Sequence, residues 1–247
     1  MILRRITQHL KQQHWTGVFI ELVIVILGVF IGLQVSNWNQ ARQDNQRRVE
    51  AISLLQDEAM ENVKALRALM KINEETIAGD SIVARAVATG KLAEQDRPVF
   101  EKALSRFEYS STLPVRNSAY RALEQSGDLA LIHDRTLLVA LSEFQSQVNW
   151  VDGQNRYFRM GYNSFAPYWR PHVWHHRDPD SGKRYITYDL GALSADKQAA
   201  SAVTEVDRMH AIQAGYIRKT LDQAVRLCQS LSARSGRRCG VTGTSRQ

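Results

Sequence analysis

Three histidines and two aspartates crowd one short stretch, "PHVWHHRDPD", at His172, His175, His176, Asp178 and Asp180. Imidazole and carboxylate are the ligand types that zinc and related transition metals take, so the sharpest chemistry on offer is metal-assisted hydrolysis by His172, His176 and a carboxylate. The spacing limits that reading. "HVWHHR" and "KRYITYDL" flank "DPDSG" and predict a β-hairpin, in which His172 and His176 face one way and His175 the other. Two ligands on a shared face fall short of a metal site, and no H-E-x-x-H motif accompanies them. No metal and no cofactor is assigned, and a metal-dependent hydrolase stays as an alternative.

The histidines sit in a longer anomaly. Residues 161–193 hold three of the chain's five prolines and three of its seven histidines, together with many aromatics. Tryptophan, tyrosine and arginine are the types enriched in binding hot spots, so Trp169, Arg170, Trp174, Arg177 and Arg184 form a candidate recognition surface. An aromatic cap is the second reading, with Phe165, Tyr168, Trp169 and Trp174 closing the end of a helical bundle. Elsewhere the chemistry is thin. Ser126 in "QSGDL" lacks the G-x-S-x-G elbow, and Walker and Rossmann glycine patterns are missing. Glu58, Glu61, Glu74 and Glu75 read as a solvated helix face. His210 falls on an apolar seam and reads as a hydrogen-bonded core residue, and His133 as a local hydrogen-bonding group. No catalytic residue is assigned.

The elements that must hold this region are helical. With 14 Gly and 5 Pro in 247 residues, long uninterrupted helices are favoured over a turn-rich β architecture. Ile52, Leu55, Ala59, Val63, Leu66, Met70, Asn73 and Ile77 recur every three or four residues, predicting an amphipathic helix from about Gln40 to Ala78 that Gly79 and Asp80 end. Short helices follow over Ser81–Thr89 and Pro98–Phe107. Asn117 or Ser118 caps another that stops at Gly127. Asp134 caps a long one carrying Leu137, Leu141, Phe144, Val148, Val151, Asn155 and Phe158. A last helix from about Ser194 repeats the spacing in His210, Ala214, Ile217, Leu221, Ala224, Cys228 and Leu231. Three such seams predict packing at shallow angles, as in a bundle. The expected fold class is mainly α: an N-terminal transmembrane helix continuing into an elongated helical bundle, with one aromatic-rich loop or β-hairpin insertion.

The anchor is "VFIELVIVILGVFIGLQVSNWN". Trp15 and Trp38 bracket the apolar run at about 34 Å of helix, close to a bilayer core of roughly 30 Å. Glu21, Gly28 and Gly32 lie on one stripe, where a G-x-x-x-G lets two backbones approach and a carboxylate inside the bilayer wants a partner. That stripe is a candidate membrane helix-packing face, for a second copy or another membrane protein. No small-x-small cleavage site ends the run, so the segment reads as an uncleaved signal anchor. Arg4, Arg5 and Lys11 precede the span and Arg42, Arg47 and Arg48 follow it, so charge alone leaves orientation open. A short basic N-terminus before a long domain favours N-in, with residues 39–247 periplasmic. The predicted organisation is a basic amphipathic N-terminus (1–14), a transmembrane helix (15–38), a helical-bundle domain (39–233) containing the 161–193 insertion, and a basic flexible tail (234–247).

"GVFIGLQVSNWN" and "AYRALEQSGDLALIHDRTLLVALSEF" together resemble a family of uncharacterised bacterial single-pass membrane proteins, a domain of unknown function. The resemblance covers roughly the first sixty residues and residues 117–144. It implies an inner-membrane protein of bacteria and brings no catalytic residues.

A net charge of +7 and a pI near 9.6 put phospholipid headgroups ahead of nucleic acid as the counter-charge, because some of the basic residues flank the span. Cys228 and Cys239 suit a disulfide in an oxidising compartment, with two unpaired thiols as the alternative. The functional expectation is a membrane-anchored interaction or scaffold protein of the bacterial envelope. The partners expected are the membrane, a second copy or another membrane protein, and no nucleic acid. A small-molecule-sensing periplasmic bundle is the third reading.

Overall fold

The computed structural model describes residues 15–240. The predicted amphipathic segment 1–14 and the tail beyond Gly240 lie outside the described residues. Two compact units emerge, residues 1–50 and 51–247. Helix α1 (Trp15–Thr89) is followed by α2 (Arg97–Leu104), α3 (Ser118–Ser126), α4 (Arg135–Trp169), strands β1 (Val173–Arg177) and β2 (Arg184–Tyr188), α5 (Leu190–Ala195) and α6 (Lys197–Ser235). The protein is mainly α, with one small sheet.

In the first unit, α1 is long and apolar enough to cross a membrane, and no residue of its apolar window is buried. Phe19, Ile24, Val29, Phe30 and Leu33 are all exposed. Gly28 and Gly32 have nothing within 4 Å of where a Cβ would stand. Glu21 is also exposed. The core of the second unit begins at Ala51. Residues 39–50 group with the first unit.

The second unit packs α1, α4 and α6 around two apolar clusters. One joins Ala51–Met70 of α1 to Leu123, Leu137, Leu141 and Phe144, and to Ile217–Leu231 of α6. The other joins Val83, Ala86 and Val87 to Phe100, Leu104, Phe107, Phe158, Tyr162 and Trp169, to Val173 and Ile186 of the hairpin, and to Ala199–Met209 of α6. Most apolar members of the four-three ladders predicted on the three helices fill these clusters. Val148 and Leu221 pack half-buried against the first, Ile77 is half-buried, and Val151 and Ala214 are buried outside both. Asn73, Asn155 and His210 are buried polar residues.

Helix ends follow side-chain chemistry. Asp134 accepts from the Leu137 amide at 3.0 Å, and Asp196 accepts from Gln198 and Ala199 at 2.8 and 3.2 Å. Helix α3 has a different cap. Asn117 makes no side-chain cap bond. Glu58 of α1 reaches across instead and accepts from the Ala119 and Tyr120 amides at 2.7 and 3.3 Å, placing a carboxylate at a helix N-terminus. Glu58 is thus no part of a merely solvated face. Four residues on, Asn62 donates to the Arg116 carbonyl and accepts from its amide, both at 2.8 Å, a side-chain imitation of a strand pairing.

Three boundaries differ from expectation. Gly79 and Asp80 do not end α1, which runs to Thr89 and stops at Gly90 (φ +64°). A Cβ on Gly79 would stand 2.8 Å from that of Ala103, so this glycine serves close packing of α2 on α1. Helix α4 runs on to Trp169, taking the first third of the supposed insertion with it. Tyr162, Ala166 and Trp169 extend the apolar ladder of Phe158, and Pro167 sits within the final turn. Lastly, the tail is not free over its described part. Cys239 is disulfide-bonded to Cys228, with Cα atoms 5.7 Å apart. Arg237 pairs with Asp57, and the Cys239 amide donates to Ser232 Oγ at 2.8 Å.

Glycine packing separates two substitutions. Gly79→Ala meets the Ala103 side chain and is expected to cost about 1–3 kcal/mol. Gly153→Ala, in the interior of α4 with nothing within 4 Å, is expected to add roughly 0.5–1 kcal/mol. Denaturant unfolding of the full chain in mild detergent reads both, and equal effects would refute the close-packing account of Gly79.

Candidate functional site

Polar residues interrupt each of the three packed helices where one apolar cluster gives way to the next. On α1 they are Asn73 and Asp80, between Met70 and Val83; on α4, Gln147 and Asn155, between Phe144 and Phe158; on α6, His210 and Gln213, between Met209 and Ile217. Asp80 is 1% exposed and His210 3%. His210 Nδ1 lies 2.7 Å from Asp80 Oδ2, and Nε2 lies 3.2 Å from the Tyr109 carbonyl. A carbonyl can only accept, so Nε2 carries hydrogen, and the pair shares one proton between Nδ1 and Oδ2. Phe107 and Tyr162 enclose the imidazole, with ring centroids at 6.2 and 4.8 Å.

Gln213 adds a second set of bonds. Its amide nitrogen donates to Asn155 Oδ1 at 2.8 Å, to the Ser111 carbonyl at 3.0 Å and to Ser110 Oγ at 3.1 Å. Burial, with the Asp80 charge second, pushes the Tyr162 phenol well up. The same two causes, in that order, raise the Asp207 carboxyl against an opposing effect of His210. The sequence reading of His210 as a hydrogen-bonded core residue holds. Its partner Asp80 was missed because a glycine-aspartate pair was read as a helix stop.

These bonds hold the segment after α2. Tyr109, Ser110 and Ser111 supply backbone and hydroxyl partners to the buried layer, while residues 105–109 form one wall of a cleft of about 600 Å³. The hairpin forms the opposite wall. Val173 pairs with Tyr188, His175 with Ile186 and Arg177 with Arg184, as the predicted antiparallel hairpin requires. Asp178 ties its turn, accepting from the Asp180 and Ser181 amides at 3.0 and 2.7 Å. The Ser181 amide and hydroxyl bonds hold its carboxyl below the usual range.

Phe107, Trp169 and Ile186 are buried cleft residues, and Arg106, Tyr109, Arg170, His175, Arg184 and Tyr185 are exposed ones. Arg170 is committed to Glu108, which accepts from Nε at 2.6 Å and raises the guanidinium's pKa through that bond.

The candidate recognition residues therefore divide. Trp174 is 49% exposed, and Arg177 and Arg184 are also exposed. Trp169 is not a surface residue: at 1% exposure it packs edge-on against Phe107, centroids 5.9 Å apart, because it completes the α4 ladder. Of the four residues in the aromatic-cap reading, Trp169 is buried and Phe165 half-buried, while Tyr168 and Trp174 are exposed. The histidines disperse. His172 precedes β1 rather than joining it and lies 3.1 Å from Asp196, whose carboxyl it holds below the usual range. His176 bonds Thr187 Oγ1 at 2.8 Å and stacks on Tyr185. Among the described residues no group of three or more His, Cys, Asp or Glu is placed to hold a metal ion. No protein-family model, curated protein or solved structure matches the chain.

Removing one member of the buried pair leaves the other without its counterpart. His210→Leu is expected to cost about 3–5 kcal/mol of unfolding free energy, and the double change with Asp80→Leu less than the sum of the two single changes. Faster amide hydrogen exchange over residues 105–111 should accompany the single change. Exchange there at the wild-type rate would show that the pair does not hold the cleft wall.

Proposed function

We propose that this chain is a membrane-anchored helical recognition or scaffold protein of the bacterial envelope. Its partner is engaged at the hairpin end of the second unit. The observation that carries this reading is the hairpin itself, which presents Trp174 and Tyr185 half-exposed beside the exposed Arg177 and Arg184, next to an open cleft with a buried aromatic floor. Half-buried aromatics flanked by arginine supply contact area and directed hydrogen bonds at low entropic cost.

The remaining parts of the proposal have their own supports. The Cys228–Cys239 disulfide suits an oxidising compartment, and with it an N-in anchor in the inner membrane and a periplasmic second unit. Open space at Gly28 and Gly32 suits close approach of another helix, from a second copy or a membrane-protein partner. Membership of the bacterial single-pass family that the two sequence phrases resemble belongs to the same proposal. A small-molecule-sensing bundle is the second reading, favoured by a cleft volume within the range of ligand pockets.

The test is affinity purification of the full chain from native membranes in mild detergent, beside a Trp174→Ala/Arg177→Ala chain and a Gly28→Ile/Gly32→Ile chain. A partner of fixed stoichiometry is expected with the wild type and lost, by about tenfold or more, with the hairpin variant. The glycine variant is expected to lose helix–helix association in a membrane two-hybrid assay. Undiminished recovery of the partner with the hairpin variant would refute the hairpin as the recognition element.

A further inference from the structure

The cleft beside the hairpin carries more positive charge than its surroundings use. Arg106 comes from the segment after α2 and Arg184 from β2, so two separate elements each contribute an arginine to the lining of one cavity of about 600 Å³. Neither has an ion-pair or side-chain hydrogen-bond partner among the described residues. The one carboxylate in the walls, Glu108, is already taken by Arg170. His175 adds an exposed imidazole to the same walls. An arginine on open surface needs no partner. Two that line one cavity without a partner leave their donors unspent, and a guanidinium's planar fork of donors fits an oxyanion.

The floor points to the rest of the ligand. Trp169 is 1% exposed there, and its indole N–H has no acceptor among the described residues. Tyr185 and Tyr109, 50% and 70% exposed, line the same cleft. We propose that this cleft binds a phosphate monoester, with Arg106 and Arg184 on the phosphoryl oxygens and Tyr109 and Tyr185 over the ester's carbon skeleton. A dianion matches two uncompensated guanidinium groups better than a single carboxylate does. The inference rests on the reading of the hairpin end as the recognition element. It names the chemistry recognised there, which a soluble phosphate ester and a phospholipid headgroup share.

The experiment is isothermal titration of the full chain in mild detergent at constant ionic strength. Phenyl phosphate, glycerol 3-phosphate and dioctanoyl phosphatidate are the probes, and phenol is the neutral comparator. Saturable binding of the phosphates and none of phenol is expected. Arg106→Gln and Arg184→Gln should each weaken binding about tenfold, and Arg226→Gln, at an exposed position on α6 beside the first apolar cluster and outside the cleft lining, should leave it unchanged. Circular dichroism confirms that each variant is folded. Dioctanoyl phosphatidate binding at least tenfold tighter than glycerol 3-phosphate assigns the lipid source, and equal or weaker binding assigns the soluble ester. No saturable phosphate binding overturns the proposal, and so does a loss in Arg226→Gln equal to that in the cleft variants, which would mark unspecific attraction to a basic surface. If phosphate binding fails while the partner is still lost on Trp174→Ala/Arg177→Ala, only this inference falls. If phosphate binds and partner capture ignores the hairpin, only the broader reading falls.

Discussion

The buried bond between Asp80 and His210 is the constraint on which the second unit depends. An unpaired polar group in an apolar interior loses its hydration without compensation, so each must find a partner at fixed distance and angle. Apolar contacts alone allow three helices to slide or rotate by a residue at little cost. A carboxylate on α1 that must meet an imidazole on α6, and a glutamine on α6 that must meet an asparagine on α4, do not allow it. The polar layer thereby fixes the register of α1, α4 and α6 between the two apolar clusters. This is the use of buried polarity best attested in helical assemblies, where it sets alignment more than it adds stability.

The same layer reaches outward. His210 and Gln213 have bonding capacity left after pairing with Asp80 and Asn155, and the segment Tyr109–Ser111 takes it up. A loop between α2 and α3 would otherwise have little to hold it. Pinned from beneath by three consecutive residues, it offers Arg106 and Tyr109 to the cleft from a fixed backbone. The hairpin opposite is held differently, by Val173 and Ile186 in the second apolar cluster and by the Asp178 turn. Both cleft walls thus rest on the core.

Much of the helical framework was legible because it rests on periodicity, which a sequence carries on its face. The ladder from Leu137 to Phe158 and the one from His210 to Leu231 name the core residues directly, and Asp134 announces its own helix. What escaped was interaction across the fold. Gly79 looks like a terminator in one dimension and is a close-packing site in three, since the deciding atom belongs to Ala103. Glu58 looks solvated because the amides it caps lie sixty residues away. Trp169 looks like a hot-spot residue by type, yet its four-three spacing from Phe158, Tyr162 and Ala166 places it in the core. That signal was present in the sequence, and Pro167 hid it by suggesting that the helix had already ended. Of the candidate site, the hairpin and its arginines could be read in advance. Arg106 and Tyr109 could not, because only the polar layer brings their segment to the hairpin.

The way ionisable groups are spent bears on what kind of site this is. General acid–base catalysis needs a titrating group left open to substrate, with a second group to orient it. Here His210 is sealed beneath Phe107 and Tyr162, His172 is engaged with Asp196, and His176 lies against Tyr185 with its Nε2 on Thr187. The groups that remain available at the cleft are arginines, which hold charge without exchanging protons at ordinary pH, tyrosines, which offer hydroxyls, and the exposed imidazole of His175. Such a set can orient and retain an anionic ligand. Coupled to a buried layer that resists deformation, it favours a preformed recognition surface, where little binding energy is lost to ordering the site.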